Sequence, residues 1–390
     1  MNSLYPKILE IKQIVDEQTE NVTDNYGLLS GLAGEILFLY YYEKVYGKQQ
    51  FLKIAKKIDI LTECVEKFNS SSSFCSGMSG VLYLIELLKH ERVIDLILDN
   101  EIYNYIDKSV QYYIQNNKYE LLYGLTGVSQ YLLLRPDKYM KQLRDILAYF
   151  DNSKIIVDDT YAWKKNTEKG DVVDLALSHG MASIIYFLTK MFSVVTLQED
   201  KNKIIKLIKK SCDFILSEKN FLTGSIYSYF PYSVTLSNLK HQTNSRLAWC
   251  YGDLSIGITL FNAGKILNDD FLLDSAESIL INAAINRKNL IQNQVFDPGI
   301  CHGASGIASV FYRMWWNTKN NIYLAAANYW INETLNMAKY RHGIAGYVYT
   351  RSNHVLKGYH LLEGISGIAL SMLFMSSMKE PVWDKCVMIS

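Results

Sequence analysis

The chain has 390 residues, of which 49% are apolar, 20% are charged and only 5 are proline, and its formal net charge is +1. Such a composition excludes intrinsic disorder and supplies enough apolar side chains for a well-buried core. It also lacks the clustered basic excess that nucleic-acid binding requires, so no nucleic-acid partner is expected.

The opening stretch, MNSLYPKILEIKQIVDEQ, alternates charged with apolar residues and has no apolar centre of the kind a signal peptide needs. The most apolar stretch, Met181 to Val195, is interrupted by Lys190 and is too short to span a bilayer. A cytoplasmic protein is therefore expected. There the cysteines (Cys64, Cys75, Cys212, Cys250, Cys301 and Cys386) stay reduced, which leaves buried thiols, metal ligands or nucleophiles as their options.

Along the chain a box of small residues recurs, each time followed at once by an apolar run. The boxes read GLAGEILFLYYY from Gly31, GMSGVLYLIELL from Gly77 and GLTGVSQYLLL from Gly124, then GMASIIYFL from Gly180. They continue with GDLSIGITLF from Gly252, GASGIASVF from Gly303 and GISGIALSMLF from Gly364. Ser183 and Ser255 replace the second glycine in the fourth and fifth copies. Each box predicts the start of a helix that is apolar nearly all round and hence buried. Between boxes lie amphipathic segments of helical length, among them Phe51 to Phe68, Asp200 to Ser217 and Tyr323 to Lys339, which predict half-solvated outer helices.

Seven pairs of this kind predict an all-α fold, an α/α toroid of seven outer and seven inner helices in a single domain, 1–390. An open solenoid would show the same periodicity, but its end repeats should be polar caps, and the first and last boxes are as apolar as the rest. Three longer gaps, Asn152 to Ser178, Lys219 to Trp249 and Tyr340 to Leu362, are read as long loops on the face that carries the boxes. The second and third are rich in Tyr, Ser and Asn, with β-like stretches such as SIYSYFPYSVTL.

Chemistry-bearing residues stand immediately before three boxes: Ser178-His179 before the fourth, Trp249-Cys250-Tyr251 before the fifth and Cys301-His302 before the sixth. If the inner helices all start on one face, these residues converge at one mouth of the cavity. Cys250, Cys301 and His302 make a Cys₂His set that suits Zn²⁺ with the fourth position open for a substrate. Neighbours such as Cys301 and His302 diverge by about 100° on a regular helix, but both can point inward from an irregular turn. An isolated cysteine is more often a small buried hydrophobe. The metal reading rests on equivalence, since both cysteines precede equivalent boxes in adjacent repeats. Cys64 and Cys212 fall on outer helices, Cys386 lies near the end of the chain, and Cys75 is read as packing. His179 is the candidate acid–base, against the plainer reading of a hydrogen-bonded helix cap. Glu120, four residues before Gly124, adds a carboxylate at the third box.

Together these residues resemble the lanthionine synthetase C-like family. The resemblance rests on the seven boxes, on Trp249 to Gly252 as Trp-Cys-Tyr-Gly, on Cys301 to Gly303 as Cys-His-Gly and on Ser178 to Gly180 as Ser-His-Gly. It spans about Tyr26 to Phe374. It implies a seven-pair α/α barrel with one Zn²⁺ at the mouth, held by Cys250, Cys301 and His302. The implied reaction adds a cysteine thiolate of a precursor peptide to dehydroalanine or dehydrobutyrine, closing a lanthionine or methyllanthionine ring.

By the same resemblance His179 takes the thiol proton or protonates the enolate, Arg246 stabilises the enolate oxygen and Tyr251 orients the site. Glu120 stands where cyclases of the family often carry Asp, which moves the carboxylate by about one methylene. The implied partners are a dehydrated precursor peptide with leader and core, a separate dehydratase, and an exporter at the inner membrane face. Alternatives remain open on the same residues: a relative acting on glutathione or another thiol, or a non-catalytic peptide-binding toroid that keeps a structural zinc. Prenyltransferase-type barrels would need acidic clusters denser than Asp158-Asp159 and Asp269-Asp270.

Overall fold

The structure, a computed structural model, describes residues 4–18, 25–47, 52–67, 71–96, 100–168, 170–351 and 354–390. Phe51, Phe68 and the loop positions 169 and 352–353, which fall within segments singled out above, lie outside the described residues. In chain order the helices are α1 (Tyr5–Glu17), α2 (Leu32–Tyr46), α3 (Leu52–Lys67), α4 (Met78–His90), α5 (Asn100–Gln115), α6 (Leu125–Leu132) and α7 (Pro136–Ser153). They continue with α8 (Met181–Val194), α9 (Gln198–Ser217), α10 (Gly252–Leu267), α11 (Asp270–Asn286), α12 (Ala304–Thr318), α13 (Asn321–Asn336) and α14 (Ile365–Ser377). The even-numbered helices are the seven box helices, and the odd-numbered ones precede or separate them.

The two classes bury themselves as their sequences require. In α8 every residue from Met181 to Thr189 is buried. The following α9 buries only Ile204, Leu207, Ile208, Ser211, Cys212, Phe214 and Ile215, a single stripe at helical spacing. Its lysines lie outside that stripe.

Each box helix begins at its first glycine for one repeated reason. The first turn of a helix leaves four backbone N–H groups without partners, and these glycine starts receive no side-chain cap. The preceding loop supplies the acceptors instead. Leu32, Met78, Leu125, Ala304 and Ile365 donate their N–H to the carbonyls of Asn25, Ser71, Lys118, Asp297 and Gly358 at 2.9–3.2 Å. For that carbonyl to reach the helix start it must cross the glycine. A β-carbon built on the first glycine of any of the seven boxes would stand 2.0–2.7 Å from the carbonyl oxygen six residues upstream. Gly252 differs in also having φ +74°, in the left-handed region, so the chain swings sharply between Cys250 and α10.

The chain divides into two compact units: Met1–Leu98 with Val295–Met388 and Ser390, and Asp99–Gln294 with Ile389. Within the first, backbone hydrogen bonds lay the pre-box turns side by side. Leu29 N–H donates to Cys75 O at 3.0 Å, Leu362 N–H to Leu29 O at 2.8 Å, and both Ile300 and Cys301 to Leu362 O at 2.9 Å. The order of boxes is thus second, first, seventh, sixth. The last repeat is a direct neighbour of the first, which an open solenoid would not allow. A 3₁₀ helix, Val382–Val387, ends this unit and is tied to α12 by Arg313, which bonds the buried Asp384 at 2.7 and 2.8 Å.

In the second unit Leu121 N–H donates to Ser178 O at 3.3 Å and Ser178 N–H to Cys250 O at 3.4 Å, so the third, fourth and fifth turns follow in order. The gaps read from sequence as loops carry short strands. A hairpin pairs β1 (Ile155–Val157) with β2 (Thr160–Ala162). A three-stranded antiparallel sheet joins β3 (Lys164–Thr167), β4 (Gly170–Asp174) and β5 (Ser233–Thr235) in that order. In the first unit β6 (Tyr349–Arg351) pairs with β7 (His354–Leu356). The strands form because these gaps bury side chains of their own: Trp163, between β2 and β3, is buried and donates its indole N–H to Phe150 O at 3.0 Å.

Candidate metal and catalytic site

In the first unit the turn before α12 carries Asp297 and Cys301-His302. The Asp297 carboxylate is buried, accepts the Gly299 N–H at 2.9 Å through Oδ1 and meets His302 Nε2 at 3.0 Å through Oδ2. Burial disfavours a charged His302 ring, but hydrogen bonds to Asp297 and Cys301 outweigh it and push its pKa up to about 11. A carboxylate on one ring nitrogen fixes the tautomer and orientation of a metal-ligating imidazole and raises its basicity. Asp297 escaped the sequence reading as a functional residue. The available signal was an acidic residue five positions before a candidate histidine ligand.

In the second unit the fourth and fifth turns meet. His179 Nδ1 and Glu120 Oε2 are 2.7 Å apart, and Glu120 also accepts the backbone N–H of Leu122 at 3.1 Å and of Tyr123. The longer Glu side chain therefore reaches the histidine. With Nδ1 engaged, Nε2 is the ring atom left to handle a proton, and a third of the His179 side chain is exposed (34%). Lys165 Nζ bonds the carbonyl of the same residue at 2.5 Å.

Cys250 is buried, and its carbonyl accepts both the N–H and the hydroxyl of Ser178, at 3.4 and 3.3 Å. The Tyr251 ring lies 6.1 Å from His179 and 5.2 Å, edge-on, from Tyr232. Arg246 donates from its backbone N and its Nε to the Tyr232 hydroxyl, at 3.0 and 3.4 Å. So Glu120, His179, Arg246, Cys250 and Tyr251 share one neighbourhood of this unit.

The loop that carries Arg246 is anchored from below by a buried ion pair. Asp253, the residue after Gly252, accepts from Arg287 Nη1 at 2.8 Å and from Phe230 N at 3.1 Å. Arg287 also donates to Ser245 O at 2.7 Å and Asn293 Oδ1 at 2.9 Å. Sequence reasoning missed this pair, because nothing local links two charges 34 residues apart.

Cys250, Cys301 and His302 make up a group of donors that could hold a metal ion. Two thiolates and an imidazole are a donor set that suits Zn²⁺. The other cysteines have a different character: Cys212 and Cys386 are wholly buried and their thiols are pushed far up by desolvation, while Cys75 is buried in the second turn. For Cys64, on α3, the side chain lies outside the described residues.

Comparison with known proteins bears on the whole chain. It is 26% identical over 422 aligned residues to the nisin biosynthesis protein NisC of Lactococcus lactis subsp. lactis, covering 96% of this chain and 92% of that one. Among solved structures it superimposes on a nisin cyclase with a TM-score of 0.76 at 18% identity, covering 100% of this chain and 98% of that one. The fold is accordingly the helical toroid expected from the seven boxes. The profile of the family described as lanthionine synthetase C-like protein matches residues 22–388, and the chain belongs to that family.

Proposed function

We propose that this chain is a lanthionine cyclase that closes thioether rings in a dehydrated precursor peptide, with one Zn²⁺ held by Cys250, Cys301 and His302. The observation that carries the proposal is the donor set itself, two thiols and an Asp297-backed imidazole, in a member of this family. Bound by Cys250, Cys301 and His302, a Zn²⁺ ion would supply Lewis acidity that lowers the pKa of a substrate thiol.

The protein's own residues do the rest. As thiolates, Cys250 and Cys301 would balance the charge of the ion they hold. Asp297 holds His302 in a fixed orientation. His179, steadied through Nδ1 by Glu120, carries the proton on Nε2 from the thiol to the α-carbon. Arg246 stabilises the enolate oxygen, and Tyr251 lines the path beside His179. In the net reaction a C–S bond forms at the β-carbon of dehydroalanine or dehydrobutyrine, the π pair ends as a C–H bond at the α-carbon, and the thiol supplies the proton. No oxidant or reductant is consumed.

This reading takes the chain as one cytoplasmic catalytic domain that receives its peptide from a separate dehydratase and passes it to an exporter. No helix among the described residues is long and apolar enough to cross a membrane, so contact with an exporter at the membrane face would be peripheral. The test is metal content by plasma emission together with ring closure on a dehydrated peptide, followed as the disappearance of alkylatable thiol. Wild type should hold about one zinc per chain and consume thiols, and Cys301→Ala should lose both. A zinc-free wild type, or one that leaves every peptide thiol alkylatable while consuming glutathione, would sink the proposal.

A further inference from the structure

The residues assigned above as catalytic leave one well-connected group unexplained, the hydroxyl of Tyr232. It accepts the Arg246 backbone N–H at 3.0 Å and the Arg246 Nε–H at 3.4 Å, and donates to Gln294 Oε1 at 3.2 Å. Its ring stands edge-on to Tyr251 at 5.2 Å, and Tyr251 in turn faces His179 at 6.1 Å. One tyrosine thus touches, directly or through one ring, three residues that the cyclase reading uses.

Tyr232 is itself held by the sheet. Its carbonyl accepts the Leu175 N–H at 3.3 Å, and the next residue, Ser233, pairs with Asp174 where β5 joins β4. The strand β4 runs directly into the turn that ends at His179, and β5 opens into the loop that returns to Arg246. The Asp253–Arg287 pair pins the same loop on either side, at Phe230 and Ser245. Tyr232 is therefore a rigid post between two pre-box turns, in a stretch where a plain surface loop would leave Arg246 on a long, freely rotating side chain. An arginine used through its terminal nitrogens needs its Nε and backbone fixed first, and a hydroxyl that accepts from both does this with one atom.

We infer that Tyr232 is a positioning residue of the active site, which holds the Arg246 guanidinium in the orientation that stabilises the enolate. The inference rests on the cyclase reading above. Its role belongs to the transition state, because the enolate oxygen acquires its charge only there, so loss of the hydroxyl should lower kcat and leave KM alone. The ring contact with Tyr251 does not need the hydroxyl, which makes Tyr232→Phe the informative variant.

The experiment is a double-mutant cycle of Tyr232→Phe and Arg246→Lys, read as the rate of thioether formation on a dehydrated peptide, with zinc content and Tm recorded for each protein. Tyr232→Phe should lose about tenfold in kcat, as expected for one hydrogen bond to a charged group, with KM, zinc and Tm unchanged. In the Arg246→Lys background, where no guanidinium remains to be oriented, the same change should cost less than twofold. Gln294→Ala, which removes the acceptor that aims the hydroxyl, should act in the same direction and also fail to add to Arg246→Lys. It decides the matter if Tyr232→Phe lowers Tm. Full activity of Tyr232→Phe, or losses that multiply with Arg246→Lys, would overturn the tether while leaving the cyclase reading intact. A wild type that forms no thioether overturns both.

Discussion

His179 owes its orientation to a carboxylate that is itself held in place: Glu120 is bonded by two backbone N–H groups of its own turn and by the imidazole Nδ1. On the proposed mechanism, replacing His179 by Ala should lower ring closure by about 10²–10⁴-fold and leave the zinc content unchanged, because His179 is proposed to transfer a proton and is not in the donor group. Parallel rate and metal measurements would separate the two. Asp297 makes the opposite prediction. Asp297→Asn keeps the shape of the turn but weakens the bond to His302 Nε2, and metal affinity should fall about 10–100-fold in a chelator competition, with His179 chemistry unaffected once the site is saturated. At this scale the sequence exposed the residue types but not their partners. His179, Cys250, Cys301 and His302 stood out because they precede equivalent boxes, whereas Asp297, Tyr232 and Arg287 acquire their meaning only from contacts.

At the scale of the element, five of the boxes are helix starts capped by a carbonyl of the preceding loop, and in all seven the glycine leaves room for that loop to cross. Gly77→Ala places a methyl 2.0 Å from the Ser71 carbonyl, in a turn that also bonds the neighbouring repeat. It should destabilise the protein by about 1–3 kcal/mol or more, because the backbone itself has to shift. Gly224, with nothing within 4 Å of an added β-carbon, should accept Ala with a neutral or slightly stabilising effect, about 0.4–1 kcal/mol at most. Denaturant melts of the two variants test the distinction, and equal losses would refute the capping argument. The boxes and the amphipathic stripe of α9 were legible in advance because helical periodicity is a local property of the chain. The strands were legible only in part: the β-like stretch SIYSYFPYSVTL contains β5, but each strand is three to five residues long, and β4 pairs with β5 across about 60 intervening residues, beyond the reach of any local pattern.

At the scale of the molecule, the decisive contacts join the ends of the chain to each other. Leu362 bonds Leu29, and Arg313 of α12 clasps Asp384 of the terminal 3₁₀ helix with both side chains buried. Removing one partner of that pair leaves a buried charge alone. Arg313→Met should cost about 3–5 kcal/mol in equilibrium unfolding, and adding Asp384→Leu should recover a large part of it. A loss below 1 kcal/mol for the single variant would mean that the clasp contributes nothing to holding the last repeat.

What the sequence determined by itself was the repeated unit: seven small-residue boxes each followed by a buried helix, amphipathic partners between them, and thiol and imidazole side chains at the helix entrances. These are set by spacing along the chain, where periodicity and residue type act over a few turns of backbone. Only the tertiary structure decided that the seventh repeat packs on the first, that the long gaps form a three-stranded sheet and two hairpins, and that Asp297, Glu120 and Tyr232 contact His302, His179 and Arg246. Those facts depend on hydrogen bonds between residues far apart in sequence, whose partners no local signal specifies.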